Sequence, residues 1–313
     1  MQNEVLLFAG NSNRPLAEKI SEYLDTSLGS ATVGKFSDGE TRVTIEESVR
    51  GKRIFLLQST SAPTNDNLME LLIMVDALKR ASALSVTAVV PYYGYARQDR
   101  KARARDPITA KLVANLMTVS GIDRLVSIDM HVSQLQGFFD IPVDHLQAFP
   151  VFVDYLKKKY KDEISNFTVV SPDVGGVKRA RKFAGKLDVP LAILDKRRPK
   201  DNVAEIVNII GEVKGRDIIL VDDIIDTGGS VSKGAKFLKN AGAKRIVICV
   251  THGVFSGNAF ENLSDDAIDS IIVTDTIHHE NLPEKITELS VAPLFGETIL
   301  RIYKNMSVSV LFR

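Results

Sequence analysis

The sequence predicts an α/β protein built from two similar domains, each a mostly parallel sheet flanked by helices, and three observations carry that prediction. Apolar runs of strand length recur along the 313 residues. The runs are continuous in Val, Ile and Leu, which marks strands covered on both faces. Segments of helical periodicity separate them, and strands alternating with helices mean βαβ units and parallel sheets. A chain of this length holds about two domains of roughly 100 to 200 residues, so two α/β domains fit better than one barrel.

The strand-like runs are, in order, Val5 to Ala9, Ile54 to Leu57, Val86 to Val90, Leu125 to Ile128, Thr168 to Val170, Ile218 to Val221, Ile246 to Val250 and Ile271 to Val273. After the first, Leu16, Ile20 and Leu24 fall on one helical face. Leu68, Leu71, Leu72, Val75 and Leu78 form a broader stripe, with Asn65 and Asp66 expected as its caps. Pro107 is expected to open the helix PITAKLVANLMTVS and Gly121 to close it. The stretch from Pro142 to Pro150, followed by the lysine-rich helix end KKKYKDE, sets the expected domains at 1–146 and 147–294, with 295–313 packing back on the first.

Charge narrows the function. Forty Lys plus Arg against thirty-nine Asp plus Glu leave a net charge of +1, so there is no global basic field for nucleic acid or an anionic membrane. Any anion site must be local. Cys249 sits in the apolar run IVICV, where a small inert core residue is the expected role, and a single cysteine forms no internal disulfide. No basic leader and no run of 18 uncharged apolar residues occur, so a cytoplasmic protein with no membrane partner is expected.

The strongest chemical signal is DIILVDDIIDTGGSVSKGAKFLKNAG, residues 217–242. A buried strand delivers Asp222 and Asp223 to its carboxyl end, where ligands of open α/β sheets bind. Asp226, Thr227, Gly228, Gly229 and Ser230 then turn into a helix. Glycines let the backbone approach an anion, the hydroxyls add donors, and the helix N-terminus offers free N–H groups and a favourable dipole. This is a phosphate cradle. Its acids suit sugar hydroxyls or a phosphate-bound metal. No GxxxxGK[ST] occurs, which weighs against a P-loop kinase.

VDDIIDTGGS resembles the sugar-phosphate loop of the phosphoribosyltransferase fold. FSDGE (36–40), TNDNLMELL (64–72), PYYGYARQDR (91–100), DMH (129–131), QGFFDIPVD (136–144), SPDVGG (171–176) and DKRRP (195–199) narrow the resemblance to the ribose-phosphate pyrophosphokinase family, class I type, over essentially the whole chain. It implies two phosphoribosyltransferase-like domains and transfer of the pyrophosphoryl group of ATP to ribose 5-phosphate. Phe36, Asp38, Gly39, Glu40, Arg97 and Gln98 are then expected to hold ATP. His131 and Asp173, with Asp129, are expected at Mg²⁺. Lys196 and Arg198 match the catalytic cations, on a loop expected to be mobile; Arg198, Asp222, Asp223 and Asp226 to Ser230 match the ribose 5-phosphate site.

The glycine turn after Asp173, with Lys178 and Arg179 following, reads as a second anion pocket, for pyrophosphate. Class I members imply a homo-oligomer, a hexamer, with inorganic phosphate and ADP as effectors at Ser48, Arg50, Arg105, Asp144, Ser307 and Ser309. By itself the terminal SVSV run reads as a surface strand of alternating Ser and Val, and only the resemblance makes it an effector site. Two other readings stay open here: a phosphoribosyltransferase using the same loop, and a nonenzymatic regulatory homologue. The segment IHHENLPEK, residues 277–285, matches no motif.

Overall fold

The structure is a computed structural model that describes residues 5–200 and 203–312, and the side chains of 196–207 lie outside that description. The chain forms two compact units, Met1–Gln147 with Thr276–His278 and Ser290–Arg313, and Ala148–Asp275 with His279–Leu289. The first unit runs β1 (Val5–Ala9), α1 (Arg14–Tyr23), β2 (Ala31–Lys35), β3 (Thr41–Ile45), β4 (Arg53–Leu57), α2 (Thr64–Arg80), β5 (Ser85–Val90), α3 (Thr109–Ser120), β6 (Arg124–Ile128) and β7 (Val143–Leu146). Its sheet has the order β1-β4-β5-β6-β7, parallel throughout.

The second unit contains α4 (Phe149–Lys159), β8 (Phe167–Ser171), α5 (Val177–Leu187), β9 (Leu191–Lys200), β10 (Val203–Ile210), β11 (Asp217–Ile225), α6 (Gly229–Asn240), β12 (Arg245–Gly253), α7 (Ala259–Leu263), β13 (Ser270–Thr274) and β14 (Ile286–Leu289). Its sheet order is β10-β9-β8-β11-β12-β13-β14, parallel except at β9–β10. The last helix, α8 (Ala292–Tyr303), belongs to the first unit and packs on α1.

All eight continuous apolar runs are parallel strands, and their side chains fill the cores. In the first unit Phe8, Ile54, Leu56 and Val86 meet Leu71, Met74, Val75, Val113 and Met117 from α2 and α3. In the second, Ile218, Leu220, Ile246 and Ile248 meet Ala235 and Leu238 from α6. Each large side chain so buried contributes roughly 1.5 to 3 kcal/mol against exposure. Cys249 is 1% exposed, and burial pushes its thiol up, so it is an inert core residue as expected.

Helix ends differ in detail. α2 begins at Thr64 after Pro63 and has no side-chain cap, so Asn65 and Asp66 lie inside its first turn and do not cap it. α3 starts two residues after Pro107, and Gly121 closes it with φ 104°, a left-handed C-cap that glycine adopts without strain. Among the described residues no helix is long and apolar enough to cross a membrane.

Candidate active site

β11 is buried through Val221, because β8 and β12 flank it on either side. Asp222 and Asp223 follow at its carboxyl end, with side chains 28% and 7% exposed. The Arg179 guanidinium, from α5, lies 3.1 Å from a carboxylate oxygen of each. Burial pushes the Asp222 carboxyl above its usual range; the neighbouring Asp223 charge and the hydrogen bond between the two push the same way, opposed by Arg179 and the Asp223 N–H.

The loop beyond has the geometry to receive an anion. Gly228 has φ 75° and precedes α6, whose N-terminus no side chain caps. The first N–H groups of a helix have no carbonyl one turn earlier, so Gly229, Ser230 and Val231 present donors with the positive end of the dipole behind them. Thr227 and Ser230 are exposed beside them. Gly229 is open: a Cβ there would come only within 3.9 Å of Thr227 Oγ1, leaving the approach clear for a ligand.

The second glycine turn follows β8. The Gly176 N–H donates to the Asp173 carboxylate at 2.9 Å, and the Ser171 hydroxyl donates to the Asp173 carbonyl at 2.7 Å. Arg179, which follows this turn on α5, reaches the acid pair on β11.

In the first unit, FSDGE is the turn of the β2–β3 hairpin. The Phe36 N–H donates to the Glu40 carbonyl at 2.8 Å, and the Glu40 N–H donates to the Asp38 carboxylate at 3.1 Å. Gly39 has φ 95°, which this tight turn requires. Phe36 is 52% exposed with the Arg42 guanidinium 5.9 Å over its ring, so an aromatic face stands ready for a flat ligand. Lys35 pairs with Asp66 of α2. Arg97 and Gln98 are exposed after β5, where Gln98 accepts from the Thr109 hydroxyl at 2.5 Å. A Cβ on Gly94 would lie 2.3 Å from the Thr60 carbonyl, so only glycine fits where this loop crosses β4's end.

Asp129 (φ 39°) and His131 follow β6 in the same unit, whereas Asp173 belongs to the other. Among the described residues no three His, Cys, Asp or Glu side chains gather at one point as metal ligands. Mg²⁺ keeps waters and takes substrate phosphates, so it does not need such a cluster.

Comparison with known proteins decides what this architecture is. Residues 5–121 match the model of the N-terminal domain of ribose phosphate pyrophosphokinase, and 195–313 match the phosphoribosyl synthetase-associated domain. The ribose-phosphate pyrophosphokinase of Thermotoga maritima is 61% identical over 311 residues, 99% of each chain. That of Thermosipho africanus is 58% identical over 313 residues, 100% of this chain and 98% of the other. The chain belongs to the ribose-phosphate pyrophosphokinase family. A solved relative, the phosphoribosylpyrophosphate synthetase of Mycobacterium smegmatis, superposes with a TM-score of 0.90 at 43% identity, covering 97% of this chain and 100% of that one.

Ribose-phosphate pyrophosphokinases are enzymes, and the basic segment DKRRP bears on catalysis in the family resemblance. The sequence reads it as a loop; the backbone is instead strand β9, antiparallel to β10, with Lys196 opposite Ile206 and Lys200 opposite Val203. The Lys196 and Arg198 side chains, and the mobility expected of them, lie outside the described residues. Of the expected effector positions, Ser48 and Arg105 are exposed. Arg50 donates to the Ser82 hydroxyl at 3.0 Å, and Asp144 on β7 pairs with Arg124 at 2.6 Å. Ser307 and Ser309 lie 3.0 Å apart by their hydroxyls, and Ser309 opens a terminal 3₁₀ segment (Ser309–Phe312), so the SVSV run is not a strand.

Sequence reasoning missed a buried polar hub at the carboxyl edge of the first sheet. Glu70 accepts from the Asn11 N–H at 2.6 Å, from the Asn11 amide at 2.8 Å and from Gln58 at 2.8 Å, while Gln58 accepts from Ser12. A Cβ on Gly10 would lie 2.4 Å from Gln58 Oε1, so glycine is needed there. A buried charge inside an apolar stripe is the signal that could have found it: Glu70 interrupts Leu68 and Leu71 on the face of α2 that packs inward.

Proposed function

We propose that this chain transfers the pyrophosphoryl group of ATP to the C1 hydroxyl of ribose 5-phosphate, giving phosphoribosyl pyrophosphate and AMP for nucleotide biosynthesis. The observation that supports it most directly is the uncapped, open N-terminus of α6 beside a buried, Arg-linked acid pair at one sheet edge. The N–H groups of residues 227–230 and the Thr227 and Ser230 hydroxyls hold the 5-phosphate. Asp222 and Asp223, each with a second oxygen beyond the one near Arg179, accept ribose hydroxyls.

The C1 hydroxyl oxygen attacks the β-phosphorus of ATP; the bond from that phosphorus to the bridging oxygen breaks, and AMP leaves with the oxygen. Charge builds on the transferred group and on the leaving oxygen, so positioning and cations supply most of the acceleration. Lys196 and Arg198 are the cations assigned to it, and Arg198 also contacts the sugar phosphate. Phe36 stacks on the adenine, Asp38 and Glu40 accept from its amino group or the sugar, and Arg97 and Gln98 hold phosphate. Asp129, His131 and Asp173 are the residues assigned to Mg²⁺, the two carboxylates supplying the hard oxygen donors it prefers; when bound it would neutralise charge on the triphosphate.

The enzyme works in the cytoplasm as a homo-oligomer, a hexamer, with phosphate and ADP as effectors. Leu112, Leu116 and Val119, exposed along one face of α3, and Ile108 just before it support self-association. Purified protein incubated with ATP, Mg²⁺ and ribose 5-phosphate tests the reaction. AMP formed only with the sugar supports the proposal, and ADP in its place overturns it.

A further inference from the structure

The chain that follows β12 and the otherwise unassigned His279 stand together behind the sugar-phosphate loop. Gly253 ends β12 directly beside Ile225, the residue before Asp226. The Val254 and Phe255 N–H groups donate to the Ile225 carbonyl at 2.8 and 3.2 Å, and the Ser256 N–H donates to the Asp226 carbonyl at 3.1 Å. The Ser256 hydroxyl donates to the Asp226 carboxylate. The Asn262 amide donates to the Thr227 carbonyl at 2.8 Å. At Gly228 a Cβ would lie 3.0 Å from Leu263. Each residue from Asp226 to Gly228 thus has a holder in the segment 254–263.

That segment is itself strained and braced. Phe255 has φ 50°, a left-handed conformation that is costly for a bulky residue and persists only where surrounding contacts over-determine it. Its ring packs on Gly253, where a Cβ would come within 2.5 Å, and stacks with Phe260 and His279 at 5.2 Å each. His279 Nε2 lies 2.7 Å from the Gly253 carbonyl. A carbonyl only accepts, so Nε2 carries the hydrogen and donates.

These contacts reach the loop's carbonyls and the flank of its acid, leaving the donors of α6 untouched. We infer that Ser256 and Asn262 are positioning residues for ribose 5-phosphate and that His279 anchors the segment carrying them. The inference rests on the reading of Asp226 to Ser230 as the sugar-phosphate site. Its physical content is preorganisation: the loop is held in its cradle shape before phosphate arrives, so binding does not have to order it.

The test uses the full chain, with KM for each substrate, kcat and Tm measured for Ser256→Ala, Ser256→Thr, Asn262→Asp and His279→Leu. Asn262→Asp keeps the shape but cannot donate. The Ala, Asp and Leu variants are each expected to raise KM for ribose 5-phosphate by about three- to tenfold, the loss of one hydrogen bond, with Ser256→Ala at the upper end because its partner is a carboxylate. KM for ATP should stay put, and Ser256→Thr, which keeps the hydroxyl, should behave as wild type. Gly229→Val is the control for the loop itself. If it raises KM for the sugar while the three variants do not, the positioning role falls and the loop reading stands. If Gly229→Val also leaves KM unchanged, the loop reading falls and takes the inference with it. Equal rises in both KM values with a fall in Tm would mean a purely structural role and would overturn the inference.

Discussion

At residue scale, two adjacent glycines separate folding from binding. Gly228 is left-handed and lies against Leu263, so Gly228→Val strains the backbone and collides with the core whatever ligand is present. Gly229 has no such constraint, and its added Cβ would meet only Thr227 Oγ1 at 3.9 Å, in the space the proposed 5-phosphate would take. Gly229→Val is therefore expected to keep Tm near wild type while raising KM for ribose 5-phosphate at least tenfold, roughly the value of one or two charge-assisted hydrogen bonds. Calorimetric ATP binding that weakened equally would show the two substrates to be misplaced. The acid pair makes a second, pH-dependent prediction. An unfolded Asp ionises near about 3.9, while burial raises Asp222 in the fold. The native protein then keeps a proton that the unfolded chain has lost, so stability is greatest below the unfolded value and is lost as pH rises toward the native one. Asp222→Asn has no such cost. Melts of ligand-free protein from about pH 5 to about pH 8 should show the variant gaining on wild type as pH rises; parallel curves would remove the raised Asp222 from the account.

At the scale of elements, β9 carries the catalytic assignment. A cation that meets charge only in the transition state contributes to rate and not to ground-state affinity. Lys196→Ala and Arg198→Ala are each expected to lower kcat on the order of 10²- to 10³-fold with small changes in Tm and ATP affinity. Normal turnover in either would strip this strand of its role. What the sequence showed and hid follows one physical distinction. Strands covered on both faces announce themselves as unbroken Val/Ile/Leu runs, as at Ile218 to Val221. The β2–β3 hairpin is exposed on one side, alternates weakly through ATVGK and TRVTI, and so left only its FSDGE turn legible. β7 and β14 are four-residue edge strands with polar residues, VDHL and ITEL. The strand, turn and helix around Asp226 to Ser230 were legible because the segment is contiguous and glycine-marked. Its backing by Ser256, Asn262 and His279 was not, because those residues are separated in sequence from Asp226 and brought to it only by the pairing of β11 with β12.

At the scale of the whole molecule, the proposed effectors would act only through differential affinity for two states. Ser307→Ala with Ser309→Ala should weaken activation by phosphate while leaving Mg²⁺ dependence intact, and activation at the wild-type phosphate concentration would rule these serines out. Assembly has a sharper handle. Leu112 and Leu116 are 55% and 42% exposed, with Val119 at 86% one turn further along the same face of α3. An isolated apolar side chain on a surface is ordinary, but a helical stripe of them is the signature of a face that another surface covers. A second copy of the chain supplies an identical stripe, and isologous pairing lets one patch satisfy both partners. Replacing Leu112 and Leu116 by Glu would place two charges where each must be desolvated on contact, a repulsion doubled by symmetry, without disturbing the buried face formed by Ala110, Val113, Ala114 and Met117. Light scattering should then report a smaller assembly with an unchanged circular dichroism spectrum, and phosphate activation should be lost with it. If the double variant keeps its mass in solution, α3 is not the contact between copies.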